Sequence, residues 1–353
     1  MNSIELYKNK RVLVTGGAGF IGGTLIRKLL KSTNWNIFNL DKLGYASDLD
    51  GINQELSNLD QCANERYEFL KIDLVNSEMT NYAMKVADPD LIIHLAAESH
   101  VDRSIVSPSS FLESNVMGTF NLLQAAREHF DRLQDERKKN FRLHHVSTDE
   151  VYGSLGKNGY FSEASCYGPR SPYSASKAAS DHLVNAWHST YGLPVVITNC
   201  SNNFGPWQFL EKLIPMVITN ALGGKDIPLY GDGTNVRDWL FVEDHVDALM
   251  LVATKGRLGS SYCIGGGAEK KNIEVMNIIC SILDLRLKPN KSYKNLIRNV
   301  NDRPGHDYRY AIDSSLIFNE LGWRPNHNFQ EAIEKTVDWY LNNLEWCKKI
   351  IQK

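Results

Sequence analysis

Cysteine is scarce and scattered in this sequence: six residues in 353, at Cys62, Cys166, Cys200, Cys263, Cys280 and Cys347. They form no Cys-x-x-Cys pair and no His/Cys cluster at metal-ligand spacing, so no metal is expected and the thiols should be reduced and mostly buried. Surplus charge is missing too. Lys and Arg total 39 against 41 for Asp and Glu, a net −2 with no long run of one sign. No broad basic field exists to gather nucleic acid, although a local anion site is still allowed. No apolar stretch approaches the roughly 20 residues that span a bilayer, and neither an internal repeat nor a low-complexity segment occurs. The opening run, Met1 to Arg11, is polar and leads straight into a strand rather than into a secretory leader. These absences predict a soluble cytoplasmic protein with no membrane or nucleic-acid partner. What is present, 42% hydrophobic and 23% charged residues, suffices for one large core or two joined ones without disulfides.

Short β-rich runs alternate with helical patterns through the first 200 residues. The candidate strands are Arg11 to Thr15, Asn36 to Asp41, Tyr67 to Lys71, Leu91 to Leu95, Leu143 to Ser147 and Pro194 to Thr198. Between them Ile21, Leu25, Ile26, Leu29 and Leu30, and later Val116, Phe120 and Leu123, recur at helical spacing. Strict alternation predicts a parallel sheet covered on both faces, a doubly wound α/β domain over 1–200. After Cys200 the texture turns to shorter elements and more loops, with helical patterns near Leu213 to Leu222, Val246 to Thr254 and Ile273 to Leu283. A smaller C-terminal lobe over 201–353 is expected, with some of its segments returning to the first domain.

Gly16-Gly17-Ala18-Gly19-Phe20-Ile21-Gly22 follows the first strand and opens the first helix. One glycine permits the tight turn, the next lets backbone amides approach a pyrophosphate, and the last lets helix and strand pack closely. The helix N-terminus then attracts the anion. Asp41 ends the following strand, where a carboxylate bonds a ribose 2′-hydroxyl and repels a 2′-phosphate; this favours NAD over NADP, while the adjacent Lys42 pulls the other way. Asp73-Leu74 reads equally as an adenine contact or as a capping aspartate.

Tyr173 and Lys177 lie four apart in a segment that reads as a helix from Pro172, so their side chains face the same way. An ammonium beside a phenol favours the phenolate and makes Tyr173 a candidate base. On its own the pair reads more readily as an i,i+4 surface contact than as a site. The glycine turn and Ser147-Thr148 on the sheet give it a context. Asp149 and Glu150 follow Thr148 at the carboxyl end of a strand, the usual ligand edge of such sheets. A strand-end turn explains acids there as well, but two neighbouring carboxyls also provide one acid and one base. Tyrosine and lysine serve hydride transfer; two added carboxyls point to an elimination coupled to a redox step.

Further segments join these: Ala96 to Ile105, Ser147 to Gly153, Tyr173 to Ala178, Cys200 to Pro206, Glu211 to Pro215, Arg237-Asp238-Trp239 and Arg303 to Asp307. In this order, over nearly the whole sequence, they resemble the extended short-chain dehydrogenases/reductases, and more narrowly the nucleotide-sugar 4,6-dehydratases of the dTDP-glucose type. The resemblance implies a Rossmann sheet with a substrate-binding C-terminal lobe, and NAD held by Gly16, Gly19, Phe20, Ile21, Gly22, Asp41, Lys42, Asp73, Leu74, Ala96, Ala97, Ser99, Ser147, Tyr173 and Lys177. It implies that Tyr173 takes the sugar 4-hydroxyl proton, Glu150 the C5 proton, and Asp149 protonates the leaving C6 hydroxyl, with Thr148 bonding the sugar and Lys177 supporting Tyr173. It implies that a nucleoside-diphosphate hexose is held by Ser99, Thr148, Asn203, Glu211, Lys212, Leu213, Tyr230, Arg237, Asn272, Arg303 and His306, with Arg237 and Arg303 as diphosphate clamps. His100 and Arg103 would lie near the nicotinamide or sugar. A homodimer is also implied, through a four-helix bundle of the Tyr173 helix and one starting near Asn115, in deoxysugar biosynthesis leading to rhamnose or a related sugar.

Three positions depart from that pattern: Gly44 stands where threonine is common, Phe204 for tyrosine and Leu210 for proline. None removes a reacting group, and the base preference (thymidine, uridine or cytidine) is what they bear on. A 4-epimerase or decarboxylase of the same fold needs no Asp149-Glu150 pair, and an idle NAD-binding protein needs none of the reacting groups.

Overall fold

The computed structural model describes residues 10–352, leaving the side chains of 62 and 63 aside. The polar opening run up to Asn9 and the Cys62 thiol therefore lie outside the described residues. Of the other cysteines, Cys166 is exposed and Cys200, Cys263, Cys280 and Cys347 are buried, and none of these five is in a disulfide.

The six expected strands form: β1 Arg11–Thr15, β2 Asn36–Asp41, β3 Tyr67–Lys71, β4 Leu91–His94, β5 Arg142–Thr148 and β6 Val195–Cys200. Three differ at their ends from the sequence reading. β4 stops at His94, whereas β5 runs one residue further at each end and β6 begins after Pro194, whose missing N–H removes a ladder donor. With the strand Ser261–Ile264 they make a seven-stranded sheet in the order Ser261–Ile264, β6, β5, β4, β1, β2, β3. β1 pairs parallel with β2 on one side and β4 on the other, Thr15 standing opposite both Leu40 and His94. Such strands bury both faces and read as unbroken apolar runs; Val12, Leu13 and Val14 are wholly inaccessible. The strand order reverses between β1 and β4, which opens a crevice at their carboxyl ends. This is the doubly wound α/β fold the alternation predicted.

The glycine turn leads into a helix at Phe20–Ser32. The helix at Pro172–Tyr191 begins where expected, with Pro172 at its first position and a reciprocal Ser171/Ser174 capping box. The helical run containing Asn115 corrects the reading: it starts at Pro108, not near Asn115, and Asn115 sits in a π-helical stretch, Leu112–Met117, before the α-helix Gly118–Arg132. Wider π turns insert an extra residue and break the 3.6-residue period, so the helical spacing is legible only from Val116, near the end of that stretch.

The chain divides into two compact units. The first runs up to Val151 and takes in Ser171–Asn199 and Val246–Tyr262; the second holds Tyr152–Arg170, Cys200–His245 and the chain from Cys263 onward. The second unit carries a three-stranded sheet (Glu269–Lys271, Val236–Phe241, Asn202–Phe204) and a parallel pair (Ile227–Tyr230, Ile297–Val300). Its core packs Phe204, Ile214, Trp239, Ile279, Val337 and Tyr340 among others. Helices Leu213–Leu222, Val242–Lys255 and Asn272–Leu287 match or extend the predicted segments. Among the described residues no helix is long and apolar enough to cross a membrane.

Candidate active site

β1 ends at Thr15 and the backbone turns at Gly16 with φ +71°, a conformation that disfavours any side chain. A Cβ there would stand 2.6 Å from Ala96 N, and one on Gly22 would collide with the carbonyl oxygen of Gly16 and come within 2.8 Å of Gly17 Cα. The turn is therefore packed between β1, β4 and the first helix turn. No side chain caps that helix and no acid lies in its first turn, so its N-terminal field is open to an anion. At the end of β2, Asp41 is nearly buried and accepts from Ala18 N (3.0 Å), Leu43 N (2.8 Å) and Ser47 Oγ (3.2 Å). Burial pushes its carboxyl above the usual value against those hydrogen bonds. Lys42 forms an ion pair with Glu98 at 2.9 Å. Its charge thus has a partner within the protein, which weakens it as a receptor for a 2′-phosphate. Asp73 accepts from Val75 N at 3.0 Å and makes a turn, while the following helix is capped by Asn76. Asp73 is no helix cap, and Leu74 is buried in the core. The cradle without Cβ atoms, the open helix end and the acid at the tip of β2 together fit a dinucleotide.

β5 delivers Ser147 and Thr148 to the same end of the sheet, and the chain then tightens into a 3₁₀ turn, Asp149–Tyr152. The Thr148 hydroxyl donates to Asp149 Oδ1 and accepts from Glu150 N, both at 3.3 Å, so one hydroxyl ties the Asp149 carboxylate to the Glu150 backbone amide. Thr148 and Asp149 are buried, and Glu150 is half-buried. From the helix packed on β5, Lys177 Nζ donates to Val146 O at 3.0 Å. Tyr173, one turn earlier, packs edge-on against Phe111 with ring centroids 6.3 Å apart. The strand carrying the acids is therefore pinned directly by the lysine of the Tyr-x-x-x-Lys pair. Ala96 N donates to Thr15 Oγ1 at 3.3 Å, and Ser99 is exposed beyond it. The His100 ring accepts from Arg103 N, and the Arg103 guanidinium lies 3.5 Å from the centroid of the Tyr45 ring.

In the second unit, Arg237, Arg303 and His306 gather. Arg237 donates to Asp307 O at 3.0 Å and stacks 4.4 Å from the Tyr310 ring centroid. His306 Nδ1 lies 2.6 Å from Asp302 Oδ1; burial first, then the charges of Arg303 and Arg237, hold its imidazole below the usual range. Tyr230 pairs in register with Val300, just before that loop. Asn272 opens a helix, its N–H bonded to Asn235 O at 3.0 Å. Asn203 stands on the strand beside Val236–Phe241, its amide oxygen 2.8 Å from His245 Nδ1. Glu211 and Lys212 lead into the helix that starts at Leu213. Among the described residues no group of three or more His, Cys, Asp or Glu side chains gathers as a metal site would.

Comparison with known proteins decides the family. The GDP-mannose 4,6 dehydratase family model matches residues 13–336. A dTDP-glucose 4,6-dehydratase from Shigella flexneri is 51% identical over 349 residues, covering 96% of this chain and 95% of that protein. The chain belongs to the dTDP-glucose 4,6-dehydratase family. Among solved structures, DesIV, the dTDP-glucose 4,6-dehydratase of Streptomyces venezuelae solved with NAD bound, is similar with a TM-score of 0.86 at 43% identity, over 96% of this chain and 99% of that one. The Bacillus anthracis dTDP-glucose 4,6-dehydratase in complex with NAD gives 0.84 at 42%, over 98% and 100%.

The dehydratase-family departures have local explanations. Phe204 is wholly buried against Trp239, Phe241 and Phe329, where a phenol hydroxyl would need a buried partner. Leu210 joins the same core. A Cβ at Gly44 would meet only Lys42 Cε, at 3.5 Å. Sequence reasoning missed the polar layer around the candidate site residues. Asn115 donates to Ser176 Oγ (2.8 Å) and Glu98 O (3.0 Å) and accepts from Glu98 N (2.8 Å). His94 bridges Thr15 and Thr119, and Asp181 bonds His145, Ser147 and Asn199. The one signal for Asp181 was its place four residues beyond Lys177.

Proposed function

We propose that this protein dehydrates dTDP-glucose to the 4-keto-6-deoxy sugar nucleotide. The observation that carries the reading is the pair of adjacent acids at the end of a strand held by Lys177, with the Asp149 carboxylate and the Glu150 backbone amide both bonded to the Thr148 hydroxyl. The turn at Gly16, Gly19, Phe20, Ile21 and Gly22, with Asp41, Ala96, Ala97, Ser99 and Ser147, would hold NAD, and Asp73, Leu74 and Lys42 would flank its adenosine end. Bound there, NAD would supply the hydride acceptor for C4 and the hydride donor for C6. Tyr173, beside the Lys177 ammonium, takes the 4-hydroxyl proton as C4 is oxidised. The resulting 4-ketone acidifies the C5 proton. Glu150 removes it while Asp149 gives a proton to the departing C6 hydroxyl, and water leaves. Glu150 then returns a proton to C5 and Tyr173 keeps the 4-ketone in place with Thr148. The hydride lost at C4 is regained at C6, so the sequence is redox-neutral and only water is lost.

The unit that carries these groups acts as the NAD domain and the other as the sugar-nucleotide lobe. There Arg237 and Arg303 offer guanidinium forks to the diphosphate with neutral His306 beside them, while Asn203, Glu211, Lys212, Leu213, Tyr230 and Asn272 make the remaining contacts. The same reading makes the protein a cytoplasmic homodimer. The exposed Leu112 and Met117 on the helical run before Gly118, together with Val106 just ahead of that run and Tyr191 on the Tyr173 helix, support a helical interface. Its product serves the making of rhamnose or another deoxysugar.

Mass spectrometry of separate incubations with dTDP-, UDP- and CDP-glucose, with no added reductant, tests the reading. Loss of one water from dTDP-glucose alone is expected. Loss from another nucleotide alone would overturn the base assignment, and an unchanged mass throughout would favour a 4-epimerase or an idle binder.

A further inference from the structure

Beneath the reacting groups lies a charged layer that no step above uses. Asp181 is wholly buried one helical turn beyond Lys177. Its carboxylate accepts from Ser147 Oγ at 2.8 Å and Asn199 Nδ2 at 3.3 Å, and meets His145 Nε2 at 3.0 Å. Asn199 Nδ2 also donates to Thr148 O at 3.2 Å. Lys177 Nζ lies 3.4 Å from the same His145 nitrogen.

The protons in this layer follow from the donor inventory. An ionised carboxylate only accepts, so His145 Nε2 must carry the hydrogen, and Nδ1, which has no hydrogen-bond partner, is the bare nitrogen. Burial and the nearby Lys177 push the His145 imidazole down to about 4. It is neutral, and so is His94 on the neighbouring strand, held well below the usual range by burial and by His145 and Lys177. Hydrogen bonds from His145 and Ser147 and the Lys177 charge hold the Asp181 carboxyl below its usual value despite burial. Of the titratable groups in this layer, namely His94 on β4, His145 on β5 and Asp181 on the helix itself, Asp181 alone carries charge to oppose Lys177. Asp149 and Glu150 stand beyond it at the end of the strand.

We infer that Asp181 is a positioning residue of the reaction: it is the buried counter-charge of Lys177, and it fixes the strand end bearing Ser147 and Thr148. The inference rests on the dehydratase reading and deepens it. Lys177 Nζ and Asp181 Oδ1 are separated by no more than the sum of their two contacts with His145 Nε2, 3.4 Å and 3.0 Å. At an effective interior dielectric of about 20, a charge so placed moves the Lys177 titration by about two pH units. The sign is the same for both reacting groups. Without the anion, the Lys177 ammonium is less favoured and loses its proton at lower pH; the Tyr173 phenolate is more favoured and forms at lower pH.

The test is the pH profile of kcat/KM for dTDP-glucose in Asp181→Asn, which keeps the volume and removes the charge. Both limbs should move to lower pH, the Lys177 limb by about two units. A residue that only stabilises the fold would scale the profile without displacing it. In the double variant Asp181→Asn with Asn199→Asp, the carboxylate changes sides of one hydrogen bond, and both limbs should return toward their original positions. A folded, NAD-binding Asp181→Asn with undisplaced limbs overturns the inference, as does a double variant that stays displaced. If the single variant does not fold, a double variant that folds with the original profile supports the role, and failure of both to fold overturns it in favour of a purely structural residue. Failure of the unsubstituted protein to release water from any nucleotide glucose overturns the dehydratase reading itself, and this inference falls with it.

Discussion

Two adjacent glycines at the start of the first helix should respond to alanine with opposite signs. At Gly22 the added Cβ collides with the Gly16 carbonyl and lies 2.8 Å from Gly17 Cα and 2.9 Å from Gly16 C, all backbone atoms of the turn that cannot rotate aside. Forcing a methyl into packed backbone costs about 1–3 kcal/mol, more than the roughly 1 kcal/mol that alanine contributes over glycine in a helix. The strain is relieved only by displacing the turn that would hold the pyrophosphate, so NAD affinity should fall at least about tenfold, equivalent to about 1.4 kcal/mol. At Gly23 the nearest atoms to an added Cβ are Arg27 Nη1 at 3.4 Å and Gly17 O at 3.6 Å, ordinary contact. There alanine should stabilise the fold by about 0.5–1 kcal/mol and leave NAD affinity unchanged. Thermal unfolding with and without added NAD, together with NAD titration of the stripped protein, reads both effects. Equal NAD affinity in Gly22→Ala and the unsubstituted protein would refute the packing argument, and so would a Gly23→Ala variant as impaired as Gly22→Ala.

Glu150→Gln should lower kcat by about 10²–10⁴, the usual contribution of a general base, and leave NAD binding intact; undiminished exchange of the C5 proton with deuterated solvent would count against Glu150 as the base. Arg303→Met should raise KM for dTDP-glucose more than it lowers kcat, since a diphosphate clamp binds ground and transition states alike; an effect confined to kcat would contradict that placement. His245, fully buried and pushed by burial from 6.5 down to about 3, stays neutral when folded and takes a proton when unfolded. Its share of stability is present above pH 6.5 and is lost at about 1.4 kcal/mol per pH unit as the pH falls towards 3. His245→Gln, which keeps a donor for Asn203, should flatten the pH dependence of urea unfolding below pH 6.5 by that amount, and an unaltered slope would show that the ring is protonated in the folded state.

The central strands were legible because doubly buried parallel strands are built from apolar runs, as in β1, β4 and the first half of β6, whereas edge strand β3 has only Leu70 buried and was read from its β-forming residues. The glycine turn was legible because only glycine tolerates the backbone at Gly16 and the packing at Gly22. Tyr173 and Lys177 declared themselves by spacing and by Pro172 at the helix start. What escaped the sequence depends on partners far along the chain. Asp181 reads as a polar residue on a helix; its burial is decided by His145, Ser147 and Asn199, which arrive from other strands. The π turn around Asn115 carries no compositional mark, since its stability comes from the bonds of Asn115 to Glu98 and Ser176. Which segments belong to which unit is likewise set by tertiary pairing, so the assignment of 152–170 and 246–262 has no local signature.

The strand Ser261–Ile264 lies beside β6 at the end of the sheet, but the ribosome makes residues 201–260 in between. During synthesis β6, buried throughout in the finished protein, waits with one row of amides and carbonyls unpaired while much of the second unit emerges. An apolar strand edge left open for that interval is a template for pairing with another nascent copy. The growing polypeptide should therefore be most prone to aggregate, and most dependent on chaperones, before residue 264 clears the exit tunnel, and truncations ending between β6 and that strand should be the least soluble of a nested series.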